Sequence, residues 1–368
     1  MASEKVLVTG GAGFIGRRVV DVLLSRGADV VVLDALIEQV HPTGSSRFQH
    51  RSDVELLHGD VRDEDMVKRA LKGTDAVIHL AAEVGVGQSM YAVERYTSTN
   101  DCGTAVLLQS LQRKDIRRVV VASSMSIYGE GLYRTSDGRL LDQVERQTRS
   151  GWDPVDETGA PLEPVATPEW KRPALASVYA LNKYAQERMT LLVTQAYGIE
   201  GCALRLFNVF GPGQALSNPY TGVLAIFASR LLNGERPLVF EDGRQRRDFV
   251  HVDDVAHAFV TALEHPAVNG GVFNIGSGHS YSVIDVAKLL ADAMGRPELH
   301  PKLAHKARIG DIRHCFADIT RAANAFDYRP TRLLEESLSE LTEWVKSQNA
   351  IDHFDRAHRE LERRGLVA

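Results

Sequence analysis

The amino-acid sequence predicts an α/β fold with a doubly wound parallel sheet and a smaller C-terminal lobe interleaved with it. Short runs rich in β-branched residues alternate with longer amphipathic runs, as expected for repeated βα units. A glycine-rich turn, TGGAGFIG, connects the first strand to the first helix, and a long helix far downstream carries the run SVYALNKYAQE. Both segments fall in the part of the chain that we expect to form the sheet, residues 1–207.

The individual elements follow from these runs in order along the chain. Strands are expected over Lys5–Val8, Val30–Asp34, Val54–Leu57, Ala76–Leu80, Arg118–Ser123 and Ala203–Phe207. Helices are expected over Phe14–Arg26, Val93–Gln112, Val178–Tyr197, Val223–Leu232, Asp253–Glu264, Val283–Ala293 and Leu333–Lys346.

Three regions are expected from this order of elements. Residues 1–207 would form the sheet domain and residues 208–349 the smaller, substrate-binding lobe, with 248–276 returning to the sheet. Residues 350–368 would form a charged, solvated helical tail. The stretch 130–173 shows no helical or strand period, and so long a loop is usually functional or a small folded insert. The sequence leaves open whether this insert leans over the site or only packs on the surface.

The composition is that of a soluble globular protein. Hydrophobic residues make up 44% and charged residues 25%, and the net charge of -5 argues against a nucleic-acid partner. Cys102, Cys202 and Cys315 are widely spaced and fit neither a disulfide framework nor a zinc pattern. No stretch approaches the roughly 18 apolar residues that span a bilayer, and the N-terminal run has no signal-peptide core. We therefore expect a cytoplasmic protein with no membrane partner.

The turn TGGAGFIG has the spacing of a dinucleotide-binding loop. Gly10 allows the tight turn, Gly13 lets the backbone approach a pyrophosphate, and Gly16 lets helix and strand pack closely. The phosphates would lie at the helix N-terminus, where free N–H groups favour negative charge. Asp34 ends the second strand, where a carboxylate would bind the adenosine ribose hydroxyls and repel a ribose phosphate. The sequence thus predicts a Rossmann-type domain that binds NAD in preference to NADP.

Neighbouring strand ends would complete the cofactor site. Asp60 follows the third strand and could accept a hydrogen bond from the adenine amino group, and small alanines after the fourth strand would leave room for adenosine. His79, beside apolar residues, is predicted to be a buried structural histidine and not a catalyst. The other cofactor contacts expected here are Phe14, Ile15, Val61, Leu80, Ala81 and Ala82.

A tyrosine and a lysine on one helix face indicate chemistry on a hydroxyl group. Tyr179 lies four residues before Lys183, so both side chains project from the same face. The ammonium can stabilise a phenolate, whose conjugate phenol ordinarily has a pKa of about 10, and so make the tyrosine a proton acceptor. An alcohol that loses its proton beside a bound nicotinamide can give up a hydride. Ser124, at the serine-rich end of a central strand, would hydrogen-bond to the reacting oxygen.

Together, these motifs resemble the extended short-chain dehydrogenase/reductase family, and within it the NAD-dependent sugar-nucleotide epimerases and dehydratases. The resemblance covers nearly the whole chain, through TGGAGFIG, TNDCGT, SSMSIYG, YALNK, RLFNVFGPG, RRDFVHVDDV, NIGSG and IGDIRHCFAD. It implies that Ser124, Tyr179 and Lys183 are catalytic, and that Tyr179, Lys183 and Asn100 lie on the cofactor. The contacts that it implies to a nucleotide-diphosphate sugar come from Ser124, Ser126, Asn208, Arg247, Arg308 and Asp311, with the arginines on the diphosphate.

The residues after Ser124 distinguish activities within that family. Its dehydratases have Asp-Glu there, and its uronate decarboxylases have a glutamate nearby, because elimination of water needs an acid and a base. This chain has Met125 and Ser126. The resemblance therefore implies a 4-epimerase, in which Tyr179 takes the proton of the C4 hydroxyl while C4 is oxidised transiently with tightly bound NAD+. The sugar would then turn over and be reduced on its other face.

The identity of the sugar stays open at this level. The runs VGVGQSMY, ASSMSIYGEGLY and ALSNPYTGVLAIFASRLLNG are similar to a bacterial subgroup that acts on dTDP-L-rhamnose. Some relatives carry a CxxC in the insert, and its absence here predicts no metal. The alternatives are a UDP-glucose or UDP-uronate 4-epimerase, an NAD(P)H-dependent 4-ketosugar reductase, and a non-catalytic NAD sensor. The resemblance also implies a homodimer formed through the helices over 93–112 and 178–197.

Overall fold

The computed structural model describes residues 4–41, 51–112, 115–146 and 151–367. Its centre is a seven-stranded parallel sheet with helices on both faces, which confirms the predicted doubly wound α/β class. The strands run in the spatial order β7-β6-β5-β4-β1-β2-β3, which reverses between β4 and β1. In chain order they are β1 (Lys5–Thr9), β2 (Asp29–Asp34), β3 (Glu55–His58), β4 (Ala76–His79), β5 (Arg118–Ser124), β6 (Glu200–Leu206) and β7 (Val272–Ile275). Ligands of such sheets bind at the carboxyl ends of the strands beside that reversal.

The helices lie on both faces of this sheet and in the smaller lobe. They are α1 (Phe14–Ser25), α2 (Glu64–Ala70), α3 (Val86–Ser89), α4 (Val93–Thr97), α5 (Gly103–Leu111), α6 (Val178–Tyr197), α7 (Val223–Leu232), α8 (Val252–Glu264), α9 (Val283–Ala293), α10 (Thr320–Phe326), α11 (Leu334–Lys346) and α12 (Phe354–Arg363).

The sheet is covered on both faces because successive side chains of a strand point to opposite sides. Val6 and Val8 of β1 pack in a cluster that includes residues of α1 and α8. Leu7, between them, packs in a separate cluster with Leu107 and Leu108 of α5. A third cluster, formed mainly by α7, α9 and α11, is the core of the smaller lobe.

Short strand pairs join segments within the smaller lobe and attach the lobe to the sheet domain. Residues 208–210 pair with 249–251, residues 238–239 with 302–303, and residues 246–247 with both 281–282 and 314–315. β7 pairs with β6, and α8 packs on α1, so the chain between 248 and 276 lies on the central sheet.

One predicted helix is irregular in the structure. The helix expected over 93–112 is made of α4, a π-helical turn at Ser98–Cys102, and α5. A π turn holds one extra residue, which the apolar period of the sequence does not reveal. The short helices α2, α3 and α10 were also not predicted, because each offers too few turns for a period to be recognised.

The insert between 130 and 173 is a small folded unit, and the absence of any predicted strand in it was wrong. Its residues 132–134 pair with 140–141 and with 163–165, and residues 147–150 lie outside the described part of the chain. The insert packs on the segment after residue 311: the Thr167 N–H donates to Phe316 O (2.8 Å), and the Gly131 N–H donates to His314 O (2.8 Å). Strands of two or three residues are too short to show an alternating pattern.

The C-terminal segment, defined here as residues 352–367, is not the solvated helix that the sequence predicted. α12 forms as expected, but Phe354, Ala357 and Leu361 are buried on one of its faces. Three apolar residues spaced by three and four positions form a narrow stripe, and the surrounding charges obscured it.

Candidate active site

One large cavity, of about 900 Å³, opens at the carboxyl ends of the central strands. It extends from the end of β2 to the N-terminal part of α6, beside the point where the strand order reverses. The predicted residues that line it are Gly10, Gly13, Phe14, Ile15, Gly16, Asp34, Asp60, Val61, Leu80, Ala81, Ala82, Ser124, Tyr179, Lys183 and Asn208. The structure thus brings together residues from the whole length of the predicted sheet domain.

The glycine turn leaves no space for side chains. Gly10 has a φ of +69°, and a Cβ there would lie 2.8 Å from the backbone nitrogen of Ala81. A Cβ on Gly16 would lie 2.4 Å from the carbonyl oxygen of Gly10, so this position joins α1 tightly to the turn. Gly13 precedes α1, and no side chain caps that helix. Its first turn therefore offers backbone N–H groups at the cavity wall, as phosphate binding requires.

Asp34 lines the cavity and also holds the glycine turn. One carboxylate oxygen accepts from the Ala12 N–H (3.0 Å) and the other from the Leu36 N–H (2.9 Å). His41 lies 3.6 Å away through its Nε2. The carboxylate is therefore fixed at the end of β2, where its remaining lone pairs could accept hydrogen bonds from the hydroxyls of a ribose diol.

The residues after β3 and β4 have more local partners than the sequence suggested. Asp60 forms a bidentate pair with Arg62 (2.6 and 2.9 Å), which lowers the pKa of its carboxyl group. Asn100 is fully buried and does not line the cavity; it accepts from the N–H of Glu83 (2.7 Å) and donates to its carbonyl (3.1 Å). Asn100 thus holds the chain that follows β4, which forms a wall of the cavity.

His79 is a structural residue, as predicted. Its Nδ1 lies 2.7 Å from Thr9 Oγ1 and its Nε2 lies 2.9 Å from Thr104 Oγ1, and it is only 2% exposed. Burial, and secondarily the charge of Lys183, lower the pKa of His79 to about 3. The imidazole is therefore neutral throughout the physiological range of pH.

The three predicted catalytic residues converge at one end of the cavity. Ser124 ends β5, and Tyr179 and Lys183 lie in the first turns of α6, which packs against β5. Ser124 hydrogen-bonds to Tyr179 and also accepts from the hydroxyl of Ser126 (2.9 Å). The Tyr179 N–H donates to Ser89 Oγ (3.0 Å), which connects the start of α6 to the chain after β4.

The electrostatics of this group differ from the sequence-based expectation. Burial raises the pKa of Tyr179 to about 12, although the hydrogen bond with Ser124 lowers it in part. Burial lowers the pKa of Lys183 to about 7, against the charges of Asp101 and Glu187, which raise it. The sequence shows neither this burial, which shifts both pKa values, nor the hydrogen bond that Lys183 donates to Gln186 (2.7 Å). That Lys183 stabilises the Tyr179 phenolate by its charge stays a prediction.

A buried polar network behind Lys183 was missed by the sequence analysis. Gln186 accepts from Lys183 and donates to Thr104 Oγ1 (2.8 Å), which fixes the direction of the lysine amine. Glu187 forms a bidentate pair with Arg205 (2.7 and 2.9 Å) and holds α6 against β6. Both residues lie in the run YALNKYAQE. The helical period of this run does not distinguish them from polar residues that have no role at the site.

The residues predicted to bind the nucleotide are divided between two places. Asn208 lines the main cavity, and its amide donates to the carbonyl of Asp248 (3.0 Å). Arg308 and Asp311 lie outside that lining and form a bidentate pair with each other (2.9 and 3.1 Å). Arg247 donates to the main-chain carbonyls of Ile312 and Arg313, and Ser126 donates to Ser124.

Buried charges join the insert to the lobe near these residues. The fully buried Arg313 donates to Asp153 of the insert (2.7 Å) and to Glu241 (2.9 Å) and Asp242 of the lobe. Arg146 of the insert pairs with Glu241 (2.5 Å). The insert thus contacts the segment that carries Asp311, and its Lys171 also donates to the carbonyl of Tyr128, in the turn that follows Ser124.

Within residues 4–41, 51–112, 115–146 and 151–367, no group of three or more His, Cys, Asp or Glu side chains is arranged to hold a metal ion. Over the same residues, no helix combines the length and apolarity that crossing a bilayer requires.

Comparisons with known proteins identify the family. The sequence model of the NAD dependent epimerase/dehydratase family matches residues 6–276. The chain belongs to this family. It is therefore an enzyme of a family that uses NAD, and its cofactor is NAD.

Individual members of this family resemble the chain over most of its length. It is 34% identical to a dTDP-L-rhamnose 4-epimerase of Burkholderia thailandensis, over 94% of this chain and 96% of that protein. It is 32% identical to a UDP-glucose 4-epimerase of Mycolicibacterium smegmatis, over 94% and 99%. The structure of a UDP-glucose 4-epimerase from Thermotoga maritima with UDP-glucose has a TM-score of 0.75 and 30% identity, and covers 93% of this chain and 99% of its own.

The cavity fits the cofactor of the family. The side-chain-free turn at Gly10, Gly13 and Gly16 matches a pyrophosphate, and the carboxylate of Asp34 matches a ribose diol. The cavity then continues to Lys183 and Tyr179, where the redox-active end would lie. Its volume, near the upper end of ordinary ligand sites, leaves room for a second ligand beside the cofactor.

Proposed function

We propose that this protein is a nucleotide-sugar 4-epimerase and that its substrate is dTDP-L-rhamnose or a related dTDP-hexose. The observation that carries the proposal is the convergence of Ser124, Tyr179 and Lys183 at the inner end of the NAD cavity. Met125 and Ser126 follow Ser124 and are both buried, so no acid pair for elimination of water stands there. The identity to the Burkholderia epimerase supports the dTDP-sugar.

In this proposal the protein residues bind the sugar and move one proton. Tyr179, as the phenolate, takes the proton of the C4 hydroxyl, and Ser124 hydrogen-bonds to the same oxygen as it becomes a carbonyl. Lys183 stabilises the phenolate by its charge. Hydride transfer would be supplied by bound NAD, which would take the hydride from C4 and return it to the opposite face of the ring. Tyr179 then gives the proton back, so neither cofactor nor protein is changed at the end.

The other predicted substrate ligands are proposed to bind the nucleotide part of the substrate, which does not react. Asn208, Arg247 and Arg308 would bind the diphosphate, and Asp311 would lie near the nucleoside ribose. These contacts would keep the substrate in the site while the sugar turns over. The second candidate is a UDP-glucose or UDP-uronate 4-epimerase. It is supported by the identity to UDP-glucose 4-epimerases and by the fold shared with the Thermotoga enzyme.

We also propose a homodimer. Among the large side chains that the helix α6 exposes are Leu181 (51% exposed) and Leu192 (57% exposed). They are 11 residues apart, which is three helical turns, so they lie on one face. Burying such a face against a second copy would remove both from water.

The first test is product analysis by NMR with a panel of dTDP-rhamnose, UDP-glucose and UDP-glucuronate, with no NAD(P)H added. We expect one sugar nucleotide to be converted to its C4 epimer, with no net change of cofactor. Conversion of a UDP-sugar alone would select the second candidate. Turnover of a 4-keto sugar only with added NADH would overturn the epimerase proposal in favour of a reductase.

The paired test is Tyr179→Phe. We expect kcat to fall by about 100-fold to 10,000-fold, because the proton acceptor is lost, while NAD content and nucleotide affinity stay near normal. Tyr184→Phe, on the same helix but outside the cavity lining, is the matched control and should keep full activity. Full activity of Tyr179→Phe would contradict the mechanism.

A further inference from the structure

The C-terminal segment contacts two parts of the chain: the stretch that carries Ser89 and the stretch that carries Arg308. On the sheet-domain side, the Arg364 guanidinium lies 4.4 Å from the centroid of the Tyr91 ring. A Cβ on Gly87 would lie 3.4 Å from Leu361, so helix α12 sits directly on this part of the chain. The same stretch carries Ser89, which accepts the N–H of Tyr179. The C-terminal segment therefore contacts a stretch that also hydrogen-bonds to the start of the catalytic helix α6.

On the lobe side, the segment pairs with the chain around Arg308. The Ile309 N–H donates to the carbonyl of Leu366 (3.0 Å), and Arg308 forms an antiparallel bridge with Val367. Lys306 Nζ donates to Glu362 (2.8 Å). The C-terminal segment thus contacts the stretch that carries Arg308, a residue of the proposed nucleotide site.

Little free volume remains between the C-terminal segment and the two stretches that it contacts. A cavity of about 10 Å³ is lined by Met90, Arg308, Asp311, Leu361 and Leu366, among others. That volume accommodates about one water molecule, far less than a nucleoside. Arg308 and Asp311 are also bonded to each other (2.9 and 3.1 Å), so their groups are engaged within the protein.

We propose that the C-terminal segment is a clamp that opens to admit the nucleotide part of the substrate and then closes over it. Leu361 and Leu366 become part of the nucleotide pocket, where they pack against the nucleoside, while Asp311 lies near its ribose and Arg308 binds the diphosphate. The proposal rests on the proposed function, because it takes Arg308 and Asp311 as nucleotide ligands. NAD binding does not depend on the clamp, since residues 352–367 are absent from the lining of the main cavity.

The kinetics of nucleotide binding distinguish a clamp from a structural support. Arg364→Ala removes the contact with Tyr91 in both the empty and the occupied closed states. Opening becomes easier in both, so the association and dissociation rate constants for dTDP and UDP should rise together. A cation–π contact at a partly exposed site corresponds to about a 2-fold to 5-fold change. The equilibrium dissociation constant should change less than either rate.

The matched control is Arg363→Ala. Arg363 and Arg364 both pair with Glu360 of α12, but Arg363 is the more exposed side chain, and it is Arg364 that lies over the Tyr91 ring. Its rate constants should equal those of the unchanged protein. NAD content and melting temperature of both variants should also stay the same.

The experiment is surface plasmon resonance with immobilised full-length protein and with dTDP and UDP as probes, together with hydrogen exchange. Bound nucleotide should slow amide exchange in α12, because the clamp then opens less often. If nucleotide binds but the two arginine variants behave alike and exchange in α12 is unchanged, the clamp is refuted and the proposed function stands. If neither dTDP nor UDP binds, the proposed function fails and the clamp fails with it.

Discussion

At the scale of single residues, the charge of Lys183 is decided by its neighbours. Burial lowers the pKa of Lys183 to about 7, and the two carboxylates that raise it are Asp101 and Glu187. Glu187 is already engaged by Arg205 and Ser123. Asp101 accepts from Asn182 through one oxygen (2.8 Å), and its other oxygen is buried without a hydrogen-bond partner among the described residues. Asp101 is therefore the neighbour whose charge is least compensated.

The variant Asp101→Asn tests whether the Asp101 carboxylate raises the pKa of Lys183. Without the carboxylate the pKa of Lys183 falls further, so the ammonium that stabilises the phenolate is lost at a lower pH. His79 is neutral, and Glu187 remains, so the shift is limited. We expect the alkaline limb of the kcat profile to move down by about half to one pH unit.

The profile should be recorded from acid to alkaline pH, and Glu94→Gln serves as its control. Glu94 is an exposed carboxylate on α4, in the same helical run. The Glu94→Gln variant should keep the alkaline limb of the kcat profile at the same pH as the unchanged protein. An unshifted limb in Asp101→Asn would show that Lys183 does not carry the charge on which turnover depends.

At the scale of elements, the turn between β1 and α1 depends on close approach of the backbone. A Cβ on Gly16 would lie 2.4 Å from Gly10 O and 2.6 Å from the Cα of Gly11. These are backbone atoms of a tight turn, so they cannot move aside as a flexible side chain would. The helix can accommodate a larger residue only by moving away from the turn that we propose binds the phosphates.

Gly16→Ala should therefore lower the NAD content of the purified protein by about 10-fold or more, because α1 must shift from the pyrophosphate site. Bound nucleotide can be quantified after denaturation, and the melting temperature measured with and without added NAD. Ser25→Ala, at the far end of the same helix, is the control and should retain NAD. Normal NAD content in Gly16→Ala would show that the pyrophosphate does not bind at this turn.

At the scale of the whole molecule, the proposed homodimer gives the sharpest prediction. Light scattering after gel filtration should report a dimer, and Leu181→Glu combined with Leu192→Glu should yield a monomer, because two charges would replace the apolar face. Leu140→Glu, at a comparably exposed leucine (47%) of the insert, should remain dimeric. A wild-type monomer at micromolar concentration would refute the dimer.

The features predictable from sequence were those that depend on local pattern. Strands β1 to β6 are nearly continuous apolar runs, and α6 has the period of a long helix, so these elements were located to within a few residues, whereas β7 was not predicted as a strand. The glycine turn, Asp34, Ser124, Tyr179 and Lys183 lie on such elements. They reach one cavity because carboxyl ends of parallel strands share one edge of the sheet.

What the sequence by itself determined is thus the fold class, the family and the residues around the cofactor, because each is encoded in short motifs on regular elements. Only the tertiary structure decided the rest: the π turn that brings Asp101 near Lys183, the desolvation that sets the pKa values of Tyr179 and Lys183, and the burial of α12. These features depend on contacts between residues far apart in the chain. Neither a periodicity nor a motif reports how much water a side chain loses, and that loss governs its charge.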